Sequence, residues 1–175
     1  MSSLFVVDVE ADGPCPGLYS MVSFGAVLVD SDLTTTYYGK LAPITDKWDP
    51  VALSISSTTR EQHLTYDNPK SVMRWFNDWV LLKSKGSAVF VSDNPAFDWQ
   101  FMNYYFHRYV GSNPFGHSAR RIGDFYAGLQ NDWFRASKWG HLCKRKHTHH
   151  PVDDAVGAAE GLIAMARQKN VTLPM

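Results

Sequence analysis

The run Leu4-Phe5-Val6-Val7-Asp8-Val9-Glu10 constrains the fold of this chain more than any other stretch. Branched and aromatic apolar residues favour a strand, yet this one ends in two acids two positions apart. Side chains alternate along a strand, so Asp8 and Glu10 project from one face, roughly 7 Å apart, while Phe5, Val7 and Val9 point into core on the other. Two carboxylates beside buried surface repel one another and lose solvation. A divalent cation with oxygen ligands, magnesium or manganese, offsets that cost most simply. The alternative is a strand that ends at Glu10 with both acids in water.

Downstream residues give the strand its partners. Ala11 to Gly17 is dense in Gly and Pro and forms a loop; Met21 to Val29 reads as a second, central strand and Thr34 to Lys40 as a third. Short links between them predict an antiparallel meander. Leu41 to Asn68 has poor periodicity and is expected to be irregular, with one helical turn. Pro69 opens a helix to about Lys83 with an apolar stripe of Val72, Phe76, Trp79 and Val80. Ala88 to Val91 is a short buried parallel strand, and Ser92-Asp93-Asn94 caps a helix running to about Tyr109. A fifth strand is expected at Arg120 to Ile122, a helix from Asp124 to about Phe134, a basic His-rich loop through His150, and a last helix from Pro151 to about Lys169. The sum is an α/β fold: a mixed sheet of three antiparallel and two parallel strands flanked by helices. A chain of 175 residues that is 45% hydrophobic has enough apolar material for one such domain over 1–175.

Charge excludes some functions. The net charge is zero, so no global field draws the chain onto nucleic acid or membrane. Its distribution is uneven: no Lys or Arg precedes Lys40, and no acid lies between Asp132 and Asp153, where Arg135, Lys138, Lys144, Arg145 and Lys146 fall. Cys15 and Cys143 make no disulfide framework, and no stretch reaches membrane-span length, which points to a cytoplasmic protein.

Three further residues repeat the logic of the first strand. Asp98 shares a helix face with Phe101, Met102 and Tyr105, and so looks inward. Asp154 heads the stripe Gly157, Ala158, Gly161 and Met165, whose glycines are expected to bring the last helix close to the sheet. His149, held before Pro151, leans over that helix start, and an imidazole there suits a general base. A zinc site from Cys143, His147 and His150 is the rival reading, weakened by the lone Cys. In that reading's absence, His147 and His150 are plain loop residues.

Together, Asp8-Val9-Glu10, Asn94-Pro95-Ala96-Phe97-Asp98 and His149-His150-Pro151-Val152-Asp153-Asp154-Ala155 resemble the three motifs of the DEDDh 3'-5' exonucleases, proofreading-subunit and oligoribonuclease-like members of the ribonuclease H-like fold. Ser23-Phe24-Gly25-Ala26-Val27 is similar to the family's second strand. The resemblance implies that Asp8, Glu10, Asp98 and Asp154 hold two divalent cations and that His149 is the general base, with Asp154 chosen over Asp153 and His149 over His150 by motif spacing. It implies removal of nucleoside 5'-monophosphates from a single-stranded 3' end, RNA ahead of DNA, and the homodimers common among relatives. Substrate contacts are expected from Asn94, from Arg145 and Lys146 to the upstream backbone, and around the terminal nucleotide from Ala11, Asp12 and Tyr19, with Leu18 or Met21 as other stacking residues. Ala11 and Asp12 stand where relatives place a hydroxyl residue, and Pro151 where they often have alanine. The other readings are a phosphodiesterase of very short oligonucleotides and a silent nucleic-acid-binding module.

Overall fold

The computed structural model describes residues 2–174. Its sheet has the order β3-β2-β1-β4-β5, formed by Ser2–Ala11 (β1), Met21–Leu28 (β2), Thr36–Lys40 (β3), Ser87–Ser92 (β4) and Ala119–Arg121 (β5). β1, β2 and β3 are antiparallel neighbours, and β4 and β5 run parallel to β1. The mixed α/β sheet is therefore the one expected, with β1 at its centre. Both faces are buried, not one. Phe5, Val7 and Val9 pack with Val72, Met73, Phe76 and Val80 of α3 (Pro69–Lys83) and Phe101 to Phe106 of α4 (Pro95–Tyr109). Leu4 and Val6, which share the face of Asp8 and Glu10, pack with Ile122 and Tyr126 of α5 (Ile122–Leu129) and Ala155 to Ile163 of α6 (Pro151–Gln168).

The segment before α3 is more ordered than its periodicity predicts. It holds two short helices, α1 (Pro50–Ile55), capped by Asp49, and α2 (Arg60–Leu64), closed by a reciprocal Thr59–Gln62 capping box. α5 stops at Leu129, short of the expected Phe134, because Asn131 takes a left-handed φ of 51° and Asp132 caps a separate 3-10 turn at Trp133–Arg135. A second 3-10 turn, Trp139–Leu142, leads into the His-rich loop. Among the described residues no helix is long and apolar enough to cross a membrane.

Two pairing details position the site. β4 pairs with β1 only as far as Val6↔Val91, so the end of β1 carrying Asp8 and Glu10 runs on past its parallel neighbour. Crevices beyond the carboxyl ends of parallel strands are where α/β sheets bind ligands. Asp8 also lies opposite Gly25 of β2, and a Cβ at Gly25 would stand 2.3 Å from the backbone of Pro151 and Val152. Gly25 is what lets the start of α6 rest on the sheet. The expectation that Gly157 and Gly161 serve that purpose is corrected. Their Cβ positions face Arg145, and Trp139 and Cys143, so they bring the 139–145 segment onto α6 instead.

Candidate active site

Asp8 and Glu10 come from β1, and Asp154 from the first turn of α6 that Gly25 admits. One carboxylate oxygen from each lies within 4.8 Å of the others. Glu10 and Asp154 are buried, and the Asp8 Oδ2 atom is buried with no hydrogen-bond partner. Burial, and then the neighbouring Asp98, Glu10 and Asp154, push the Asp8 carboxyl well above the usual range. Burial with Asp154 and Asp98 raises Glu10 to about 7. A pocket of acids that oppose one another's ionisation fits divalent cations with oxygen ligands. An orphaned acceptor at its floor fits them further, since a buried polar atom without a partner is costly.

Asp98 reaches the cluster from the other layer. It is buried on α4, and its Oδ1 accepts the Val9 N–H at 3.1 Å, a donor that β4 no longer pairs because it has ended. Burial raises the Asp98 carboxyl to about 7, against the lowering effect of that N–H. Asp98 thus finishes the edge of β1 and adds negative charge behind Asp8.

The His-rich loop is fastened to Asp154. Its Oδ1 accepts the Thr148 N–H at 2.8 Å and its Oδ2 the His149 N–H at 2.7 Å. His149, at a left-handed φ of 59°, places its half-exposed ring with Nδ1 3.8 Å from Glu10 Oε1. His147 joins this group. Its Nδ1 is 3.1 Å from Asp154 Oδ2 and its Nε2 3.1 Å from His149 Nδ1. From the sequence His147 is either a zinc ligand beside Cys143 and His150 or a plain loop residue, and only its i, i+2 spacing from His149 hints at this third role. Cys143 and His150 do not meet it: Cys143 packs at Gly161, and His150 pairs with Asp153 at 3.2 Å. The zinc reading with those ligands is corrected.

Several proposed substrate contacts also change. Asp12 is fully buried: it accepts the Ser20 N–H at 2.5 Å and pairs with Arg60 at 3.2 Å, so its carboxylate is closed to a nucleotide. Ala11 packs its side chain into the core and Met21 is fully buried, leaving Leu18 exposed and Tyr19 half-buried over Gly13. Arg145 is engaged by Glu160 at 3.3 Å and Asp153 at 3.7 Å, whereas Lys146 is exposed on the cleft. Asn94 caps α4 by position, yet its exposed side chain makes no capping bond. The cleft, about 380 Å³, runs from Asp8 and Asp154 past Lys146 to Asp93, Arg121 and Trp139.

Comparison with known proteins gives the chain its relatives. No protein-family model matches the chain. The 3'-5' DNA exonuclease Cap18 of Escherichia coli is 37% identical over 141 residues, covering 79% of this chain and 75% of that protein. A full-length 3'-exonuclease superposes with a TM-score of 0.76 at 18% identity over 98% of this chain, which spans 62% of that one. A 3'-exonuclease solved for specific recognition of the 3' end of a histone mRNA stem-loop gives 0.74 at 16% identity, over 95% of this chain and 63% of that one. E. coli exonuclease I in complex with a dT13 oligonucleotide gives 0.73 at 16% identity, over 97% of this chain and 42% of that one. The folds agree across the sheet and its flanking helices, and the Cap18 identity extends through most of both proteins: the chain belongs to the DEDD-type 3'-5' exonucleases of the ribonuclease H-like fold.

Proposed function

We propose that the chain is a metal-dependent exonuclease that removes nucleoside 5'-monophosphates from a single-stranded 3' end. The observation that carries this is the Asp8–Glu10–Asp154 cluster, with its buried and unpartnered Asp8 oxygen. Asp8, Glu10 and Asp154 would hold two divalent cations, Mg²⁺ or Mn²⁺, with Asp98 behind Asp8. The chemistry two such cations supply when bound is charge neutralisation and water activation at the scissile phosphate.

The protein's own contribution is to hold ligands and move a proton. A carboxylate only accepts, so the His147 ring donates from Nδ1 to Asp154, which leaves its Nε2 to accept from His149 Nδ1–H. The His149 Nε2 lone pair is then the base for the attacking water. Fixing the tautomer through the second ring nitrogen is how histidines are set for this work. Lys146 on the cleft wall steers the upstream phosphates, and Leu18 and Tyr19 offer apolar surface to the last base.

DNA is the favoured substrate, because the relative at 37% identity is a DNA exonuclease. The RNA preference implied by the family resemblance finds support in a 16%-identical neighbour solved for recognition of a histone mRNA stem-loop, which carries less weight. The test is a 5'-labelled single strand, as DNA and as RNA of one sequence, with Mg²⁺ or Mn²⁺. Stepwise 3' shortening, faster on DNA, is expected. Binding without shortening under either ion would leave a silent binding module, and cleavage of dinucleotides alone a phosphodiesterase of short oligomers.

A further inference from the structure

The loop 141–150 contains four histidines, and the reaction proposed above uses only one as base. His147 and His149 nevertheless converge on one carboxylate. The rings are 3.1 Å apart through His147 Nε2 and His149 Nδ1, and His147 Nδ1 is 3.1 Å from Asp154 Oδ2. One ligand atom from each of the three residues lies within 4.8 Å of the others. Ions of the zinc class bind nitrogen at about 2.0–2.1 Å in a tetrahedron, which sets ligand atoms roughly 3.3 Å apart. The two 3.1 Å contacts use opposite nitrogens of the His147 ring. An ion that takes either one finds one ligand pair near that figure and the other ligand atoms within 4.8 Å, a gap that side-chain rotation closes without a change of fold.

We propose that His147, His149 and Asp154 form a transition-metal site, suited to Zn²⁺ and distinct in chemistry from the all-oxygen cluster with which it shares Asp154. Imidazole nitrogen selects Zn²⁺, Co²⁺ and Ni²⁺ over Mg²⁺, which keeps to oxygen. The carboxylate is already oriented, because Thr148 and His149 donate their N–H groups to its two oxygens. Glu10, whose Oε1 is 3.8 Å from His149 Nδ1, or water completes the fourth position. The two imidazoles are half-exposed or more, so an ion enters from solvent without opening the core.

The consequence for the reaction rests on the function proposed above. An ion on His149 Nδ1 selects the other neutral tautomer: the single ring proton leaves Nδ1 and, by exchange with solvent, Nε2 takes one up, so the nitrogen assigned as base becomes a donor. The same ion draws Asp154 away from Asp8. Zn²⁺ therefore acts as an inhibitor that competes with Mg²⁺ for Asp154 and silences His149.

The test reads binding apart from turnover. Co²⁺ is titrated into metal-free wild type, His147→Gln, His147→Ala, His150→Ala and Asp8→Asn, following its visible absorption, with Zn²⁺ displacement to give affinities. Thermal melting of each variant checks the fold. Expected are nitrogen-ligated Co²⁺ spectra in wild type, His150→Ala and Asp8→Asn, and a loss of about tenfold or more in Zn²⁺ affinity in both His147 variants. Zn²⁺ inhibition of the Mg²⁺-supported reaction shifts by the same factor. Wild-type affinity in a folded His147 variant, or loss of the spectrum in Asp8→Asn, would overturn the site. A Co²⁺ spectrum that depends on His147 in a protein without exonuclease activity would leave the site standing and overturn the function proposed above.

Discussion

Asp8 and Asp12 stand four residues apart on one stretch of chain, and both have buried carboxylate oxygens, but they are answered in opposite ways. Asp12 has a resident cation: Arg60, delivered by α2, pairs with it at 3.2 Å, and the Ser20 N–H completes it. Nearby His63 is fully buried 3.6 Å away, and burial and Arg60 push its pKa down to about 4, so it stays neutral. Among the described residues no Lys or Arg pairs with Asp8; the acids Asp98, Glu10, Asp154 and Asp93 act on it instead, and one of its oxygens has no partner. Burial of an acid does not by itself mark a reactive site. What separates the two is whether the chain supplies the opposite charge, and around Asp8 that charge must come from outside.

This contrast can be broken most sharply at its two centres. Asp8→Asn is expected to abolish exonuclease activity, by more than the 10²–10⁴-fold assigned to a general base. It should also raise the melting temperature of metal-free protein, since it relieves repulsion. A lower melting temperature would show that Asp8 is answered after all. His149→Ala should slow turnover by roughly 10²–10⁴-fold with Mg²⁺ affinity nearly unchanged, read by single-turnover kinetics over a metal titration. Arg60→Ala strands the Asp12 charge and should cost about 3–5 kcal/mol in urea unfolding while leaving the acid cluster able to bind Mn²⁺.

Gly25→Ala pushes the start of α6 off the sheet, with an expected loss of about 1–3 kcal/mol and weakened Mn²⁺ binding because Asp154 moves. The smallest effect is a pH response of opposite sign in the two regions. Glu10 titrates near 7 when folded and 4.5 otherwise, so the folded state holds more protons between these values. Metal-free protein gains from Glu10 below 4.5 and loses that gain as pH rises through 7. His63, near 4 folded and 6.5 otherwise, lowers stability as pH falls through the same window. Melting temperatures of Glu10→Gln and His63→Asn across pH 4 to 8, with and without Mn²⁺, separate the two. Mn²⁺ should stabilise wild type more at pH 8 than at pH 5.

Periodicity and punctuation in the sequence made the sheet legible. They revealed β1 with its acids, the order of strands and helices, and the inward face of Asp98, because each depends on residues close in the chain. What they did not reveal depends on partners far apart. Arg60 lies 48 residues from Asp12, so nothing near Asp12 told it from a surface residue open to substrate. Gly25 matters only because Pro151 comes to rest on it, and His147 only because the loop folds back onto Asp154. The short helices α1 and α2 did leave a local trace in the capping residues Asp49 and Thr59–Gln62. A helix of five or six residues is too brief for its apolar spacing to register.

The early end of β4 gives Asp98 two duties at once, since its oxygen replaces a missing strand for the Val9 N–H. A descendant of this protein that gave up hydrolysis would still need an acceptor at that notch. Retention of an acid at position 98 is thus weak testimony that an enzyme still works. Asp8 has no architectural employment of this kind, and its loss is the change that would betray a retired nuclease.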